Sequence, residues 1–131
     1  MIGKIRHRGA RLVCSIWRQQ NARFYCISTK TASGKWKDYF FEKHEFGDIP
    51  DFLEDHEGED VYWCVHGFKA RARQKEEALL PKYAWADLDE SDPRKWPGKL
   101  KPIWPTILIE SSPGRYAGIW LLDRTVTETL N

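Results

Sequence analysis

Every apolar run in this chain is short, and turn residues stand between one run and the next. The segments are Arg11–Trp17 (RLVCSIW), Arg23–Thr29, Lys35–Phe41, Val61–Phe68 (VYWCVHGF), Tyr83–Glu90 (YAWADLDE), Thr106–Ser111 (TILIES) and Arg115–Leu122 (RYAGIWLL). Connections such as RQQNA, TASG and the Ser111–Gly114 turn separate them. Brief stretches rich in β-branched and aromatic side chains, punctuated in this way, favour strands over long helices. The first three predict an antiparallel meander. The last two predict a tight hairpin.

Helices have less room. Asp48–His56 (DIPDFLEDH) offers Asp48 as an N-cap, Pro50 early, where a helix tolerates it, and Ile49, Phe52 and Leu53 at helical spacing, with Gly58 as a stop. A short helix is expected there, and another is expected to begin within Asp123–Leu130. Between VYWCVHGF and YAWADLDE, the segment KARARQKEEALLPK reads as a loop or short helix. Strand, crossover, strand is the order of a parallel pair. Residues 91–105 hold four of the seven prolines. Proline fixes φ and removes a donor, so this segment is an exposed basic, aromatic loop or a short helix flanked by turns. The expected fold is α+β or mixed α/β, a largely antiparallel central sheet with a few short helices in one domain spanning residues 1–131.

A hydrophobic content of 41% with 31% charged residues is ordinary for a water-exposed globular chain. No apolar run approaches the length of about eighteen residues that a membrane span needs. The N-terminus, MIGKIRHRGAR, lacks the apolar segment of a secretory signal. A cytoplasmic protein without a membrane partner is expected. Seven Trp, six Phe and five Tyr exceed what a chain of this size needs, and most of these rings are expected in the core, the alternative being stacking on bases. Cys14, Cys26 and Cys64 are odd in number and lack paired metal-ligand spacing, which argues against a disulfide framework and a zinc ribbon. Cys64 and His66 stand two apart and read as a buried thiol with an incidental histidine.

Charge is unevenly spread. Residues 1–37 hold nine Lys or Arg and no acid, whereas residues 38–60 hold ten acids and one Lys. The acids read as a solvent face. Positive charge returns at Lys69, Arg71, Arg73 and Lys75, and again at Arg94, Lys95, Lys99 and Lys101. Basic blocks beside an acidic pair suit a phosphate-handling protein, although a solvated surface has the same composition.

The acidic pair is Asp87 and Asp89, at the end of the apolar residues of YAWADLDE. On a strand, period-two alternation sends both carboxylates to one face. Two carboxylates crowded in this way repel unless a cation lies between them, and hard oxygen ligands suit Mg²⁺ or Mn²⁺ shared with a substrate phosphate. The plainer alternative is a strand ending in a polar turn.

WADLDE, the basic proline-rich loop and PTILIESSPGRYAGIWLLD together resemble the catalytic region of archaeo-eukaryotic primases. The likeness is to the RepB-like and primase-polymerase branch carried by plasmids, phages and mobile elements, and it covers residues 60–123. The resemblance implies a DNA primase or polymerase-like nucleotidyltransferase. In it Asp87 and Asp89 hold Mg²⁺ or Mn²⁺ as catalytic ligands, and Ser111, Ser112, Gly114 and Arg115 of the hairpin contact the incoming nucleoside triphosphate. Template DNA is expected along Arg71, Arg73, Lys75, Arg94 and Lys95, with a helicase or other replication domain C-terminal in a complete protein.

Two departures qualify the likeness. The family commonly places a histidine just after the hairpin turn, where this chain has Ala117 or Gly118, and no histidine follows His66. The family's third metal aspartate belongs to a later strand, a role not assigned to Asp123. The chain thus reads as the N-terminal part of a catalytic domain. The main alternative is a non-catalytic nucleic-acid-binding relative with a degenerate site. A metal-dependent glycosyltransferase also uses paired aspartates, but gains nothing from the hairpin.

Overall fold

The structure, a computed structural model, describes residues 2–4, 9–79 and 82–122. The chain forms an α+β fold that divides into two compact units, Met1–Leu80 and Pro81–Asn131. Among the described residues no helix is long and apolar enough to cross a membrane. The expected helix within Asp123–Leu130 lies outside the described residues.

The first unit is a four-stranded antiparallel sheet of β1 (Ile2–Lys4), β2 (Tyr25–Lys30), β3 (Trp36–Phe41) and β4 (Asp60–Cys64), in the order β1-β4-β2-β3. The expected hairpin of Arg23–Thr29 with Lys35–Phe41 is β2 and β3, paired from Tyr25 opposite Phe41 to Lys30 opposite Trp36. Arg11–Trp17, expected to be a strand, is instead helix α1 (Ala10–Arg18). Ala10, Val13, Cys14 and Trp17 recur at the three- and four-residue spacing of one helical face, and all four are buried. That face buries more apolar surface than the local preference of Val, Ile and Trp for strands is worth.

Trp17 is the centre of this unit. It is fully buried against Tyr25, Phe46 and Trp63, with ring centroids 5.2, 5.5 and 6.2 Å away. Its indole N–H donates to the Cys64 carbonyl at 2.8 Å, so a large ring is buried without an orphaned donor. One turn on, the Gln20 side-chain amide donates to the Val65 carbonyl at 2.7 Å and accepts from the Gly67 N–H at 3.1 Å. The Lys43 ammonium donates to the Gln20 and Arg18 carbonyls at 2.6 and 3.3 Å, satisfying acceptors that the end of α1 leaves open.

Helix α2 (Ile49–Asp55) covers the same sheet face through Phe52, whose ring meets Tyr39 and Phe41 at 4.8 and 5.3 Å. Pro50 lies in its first turn as expected, but Asp48 makes no side-chain cap. A three-ten turn, Lys43–Asp48, runs straight into the helix, so Asp48 already has helical backbone and cannot reach back. The cap lies upstream, where Glu42 and Glu45 form a reciprocal capping box.

The expected parallel pairing of Val61–Phe68 with the YAWADLD strand does not occur. β4 lies between β1 and β2, and the segment after it folds back through Phe68, which bridges both Phe24 and Ala78. Among its described residues the connection contains a single three-residue three-ten turn, Lys75–Glu77, too little helix to cover a parallel pair. Gly67 lies in this fold-back. A β-carbon there would overlap that of Ala22 and come within 3.2 Å of the Phe24 carbonyl oxygen.

The second unit is a three-stranded antiparallel sheet of β5 (Tyr83–Asp87), β6 (Ile107–Ser112) and β7 (Arg115–Leu121), ordered β5-β7-β6. The strands therefore divide between two sheets, not one central sheet. The β6–β7 hairpin forms as expected, with Gly114 at φ +78° in its turn and a register shift between Glu110 and Ser112. Residues 91–105 form two three-ten turns, Pro93–Lys95 and Gly98–Ile103. The Trp120 indole donates to the Ile103 carbonyl at 2.9 Å and fastens the second turn to the sheet.

Gly67→Ala is expected to lower unfolding free energy by about 1–3 kcal/mol, the range for forcing extra volume into a packed site, read from urea titrations at constant m-value. A pH effect comes from His66. Burial lowers its imidazole pKa to about 4, against 6.5 unfolded, so the native state holds it neutral. Its contribution is complete above the unfolded value and is lost as pH falls through the folded one. With its partial exposure discounted, the loss is of order 2 kcal/mol. Chemical denaturation between pH 7.5 and 4 is expected to show this decline, and His66→Gln to flatten it.

Candidate nucleotide and metal site

Strand β5 pairs with β7 from Tyr83 opposite Leu121 to Asp87 opposite Ala117. Hydrogen bonding continues beyond the strand, from the Leu88 N–H to the Tyr116 carbonyl and from the Glu90 N–H to the Gly114 carbonyl, each at 2.8 Å. The same register sets Asp89 opposite Arg115. Their side chains meet at 3.4 Å between Asp89 Oδ2 and Arg115 Nη1. The last residue of the acidic turn, Glu90, has φ +62°, a left-handed conformation uncommon for a residue with a β-carbon. A hydrogen bond from the Ser91 N–H to the Leu88 carbonyl at 2.9 Å closes this turn.

Asp87 and Asp89 are both exposed, and the Asp89 and Arg115 side chains retain 51% and 69% of their accessible surface. Enough of each remains in water for the pair to open toward a ligand at little cost. The other hairpin residues differ. Ser111 Oγ donates to the Arg115 carbonyl at 3.5 Å, an internal use of the hydroxyl, and Ser112 faces Arg115 across the turn. Gly114 supplies the positive φ and an acceptor for Glu90.

Two exposed carboxylates offer hard oxygen donors of the kind that Mg²⁺ or Mn²⁺ takes, the other positions falling to water or phosphate oxygens. They are not a closed cage. Among the described residues, the group of three potential metal ligands within 4.8 Å of one another is Glu42, His44 and Glu45 in the first unit. Glu42 and Glu45 are committed to the capping box, and Glu42 also pairs with Arg23 at 3.3 Å and Arg71 at 3.9 Å. That cluster fell within the acids read from sequence as a solvent face. The spacing of Glu42, His44 and Glu45 was its only sequence signal, and it reflects a cap.

The basic residues are locally engaged to different degrees. Asp92 accepts from the Arg94 backbone N–H at 3.0 Å and from its guanidinium at 2.8–3.1 Å, which holds the Asp92 carboxyl below the usual carboxylate range. Arg94 also approaches Glu110 at 4.0 Å and lies over the Tyr116 ring. Arg73 pairs with Asp38 at 3.2 Å, and Arg71 donates to the Phe40 carbonyl. Lys75 and Lys95 are exposed. The first unit holds Arg71, Arg73 and Lys75; the second holds Arg94 and Lys95.

At the positions where the primase likeness places a histidine, the packing is tight. Ala117 is buried, and a β-carbon on Gly118 would come within 2.8 Å of the Trp120 ring and 3.0 Å of Leu88 Cδ1. Comparison of the chain with family models, curated proteins and solved structures returned no match.

Gly118→Ala is expected to destabilise the second unit by about 1–3 kcal/mol, because the Trp120 ring is tied to Ile103 and cannot swing clear freely. Thermal unfolding followed by tryptophan fluorescence measures it.

Proposed function

We propose that the Asp87–Asp89 end of β5 and the β6–β7 turn form a divalent-metal-dependent nucleotide site of a primase-polymerase-like nucleotidyltransferase. The observation that carries this reading is the exposed Asp89–Arg115 pair, which joins an acidic turn to the hairpin that follows it. An arginine beside a carboxylate is exchangeable. When a triphosphate arrives, Arg115 transfers its planar donors from Asp89 to phosphate oxygens, and Asp89 becomes free to act with Asp87. The divalent metal would supply activation of an attacking hydroxyl and neutralisation of the departing pyrophosphate. Backbone and hydroxyl donors of the Ser111–Gly114 turn orient the phosphates, and Lys95 extends the positive field toward template DNA.

A second reading is favoured by the packing at Ala117 and Gly118 and by a donor set of two carboxylates. On that reading the chain binds nucleic acid through its basic surface without catalysis.

Calorimetry with Mn²⁺ and a nucleoside triphosphate in low salt separates the two. For the nucleotide site, binding requires metal, is lost in Asp87→Ala/Asp89→Ala and weakens about 10-fold or more in Arg115→Ala, the loss of a charge-assisted contact. Salt-sensitive DNA binding that persists in the double variant, without metal-dependent nucleotide binding in the native chain, overturns it in favour of the second reading.

A further inference from the structure

β2 and β4 carry two of the three cysteines. Their register pairs Ile27 with Trp63 and Ser28 with Tyr62, so the next step along both strands sets Cys26 opposite Cys64. Both thiols are buried and share one cluster with Phe24 and Phe68, against which Phe40 and Ala78 pack. Ser28 Oγ lies 3.6 Å from the Cys26 sulfur, and the strand register places Cys64 directly across from it. Trp17 stacks on Tyr25 and meets Trp63 edge-on, and these two are the chain neighbours of the cysteines. Strand alternation therefore puts α1, and Cys14 with it, on the opposite face of the sheet.

We propose that Cys26 and Cys64 are a modification site, a thiol pair that a peroxide converts to a disulfide joining β2 to β4. One thiolate attacks a peroxide oxygen, breaking the O–O bond and, with hydrogen peroxide, releasing water to leave a sulfenic acid. The second thiol attacks that sulfur, forming the S–S bond and expelling the sulfenic oxygen as a second water. Two thiols lose two electrons and two protons, and hydrogen peroxide is reduced to two waters.

Phe68 and Ala78 belong to the fold-back after β4. Its fastenings include the Phe24–Phe68 and Phe68–Ala78 bridges, hydrogen bonds from the Lys69 N–H to the Glu77 carbonyl and from the Leu79 N–H to the Gly67 carbonyl, and the Arg73–Asp38 ion pair. This short segment has little regular structure, so its local opening admits a small oxidant while the sheet stays paired. Neither thiol is free to react with a bulky reagent in the closed state. A thiol capped by peroxide while its partner stands opposite has a resolving group already in place.

The full chain, treated with hydrogen peroxide and then alkylated in denaturant, tests this directly. Thiols per chain are expected to fall from three to one. Peptide mapping is expected to show Cys26 linked to Cys64, with Cys14 alkylated, and dithiothreitol to restore all three. A link that includes Cys14, sulfinic or sulfonic acid on separate cysteines without a link, or three remaining thiols overturns the proposal. The measurement is made on the native chain, so a variant that fails to fold does not confound it.

Discussion

The burial of Trp17 is the constraint on which the first unit depends. A nine-residue helix has little stability in water on its own, and α1 exists because its apolar face docks on the sheet. The indole N–H bonded to Cys64 and the Gln20 amide bonded to Val65 and Gly67 then fix the helix against one strand at one height. Apolar contacts alone would permit sliding. Buried polar groups do not, because each leaves an unpaired donor or acceptor if the helix shifts. Lys43 completes the arrangement by closing the helix end from the turn that precedes α2.

In the second unit the corresponding constraint is register. The pairing of β5 with β7 runs in one frame from Tyr83 to Asp87, and the hydrogen bonds at Leu88 and Glu90 extend it past the last strand residue. A slip of one residue would turn every side chain of β5 to the other face. It would also separate Asp89 from Arg115. The apolar strand core, with Ile119 fully buried, thereby positions a charged pair that contributes little to stability itself.

Much of this was legible in sequence. The β2–β3 and β6–β7 hairpins, the short α2 and the proline-interrupted segment follow from turn chemistry and from the limits proline sets. Three features were not. The β-branched and aromatic content of RLVCSIW masked its helical spacing, and only docking against Tyr25 and Trp63 decides between the two. The parallel crossover failed because strand order says nothing of which strand becomes the partner; β4 found β1 and β2. The cap of α2 moved upstream because the preceding three-ten turn took the backbone conformation that Asp48 needed.

The basic residues show the same division. Their positions are written in the chain, but their availability depends on acids distant in sequence: Arg73 meets Asp38, Arg71 meets Glu42, and Arg115 meets Asp89. The opposition of Cys26 and Cys64 is likewise set by strand pairing, across thirty-seven intervening residues that no spacing rule connects. Sequence by itself determined where the chain turns, which short segments are apolar and where opposite charges are concentrated, since these follow from the side chains and their immediate neighbours. Tertiary structure decided which segments became partners, which charges were neutralised and which thiols faced each other, because burial and register are properties of pairs of segments.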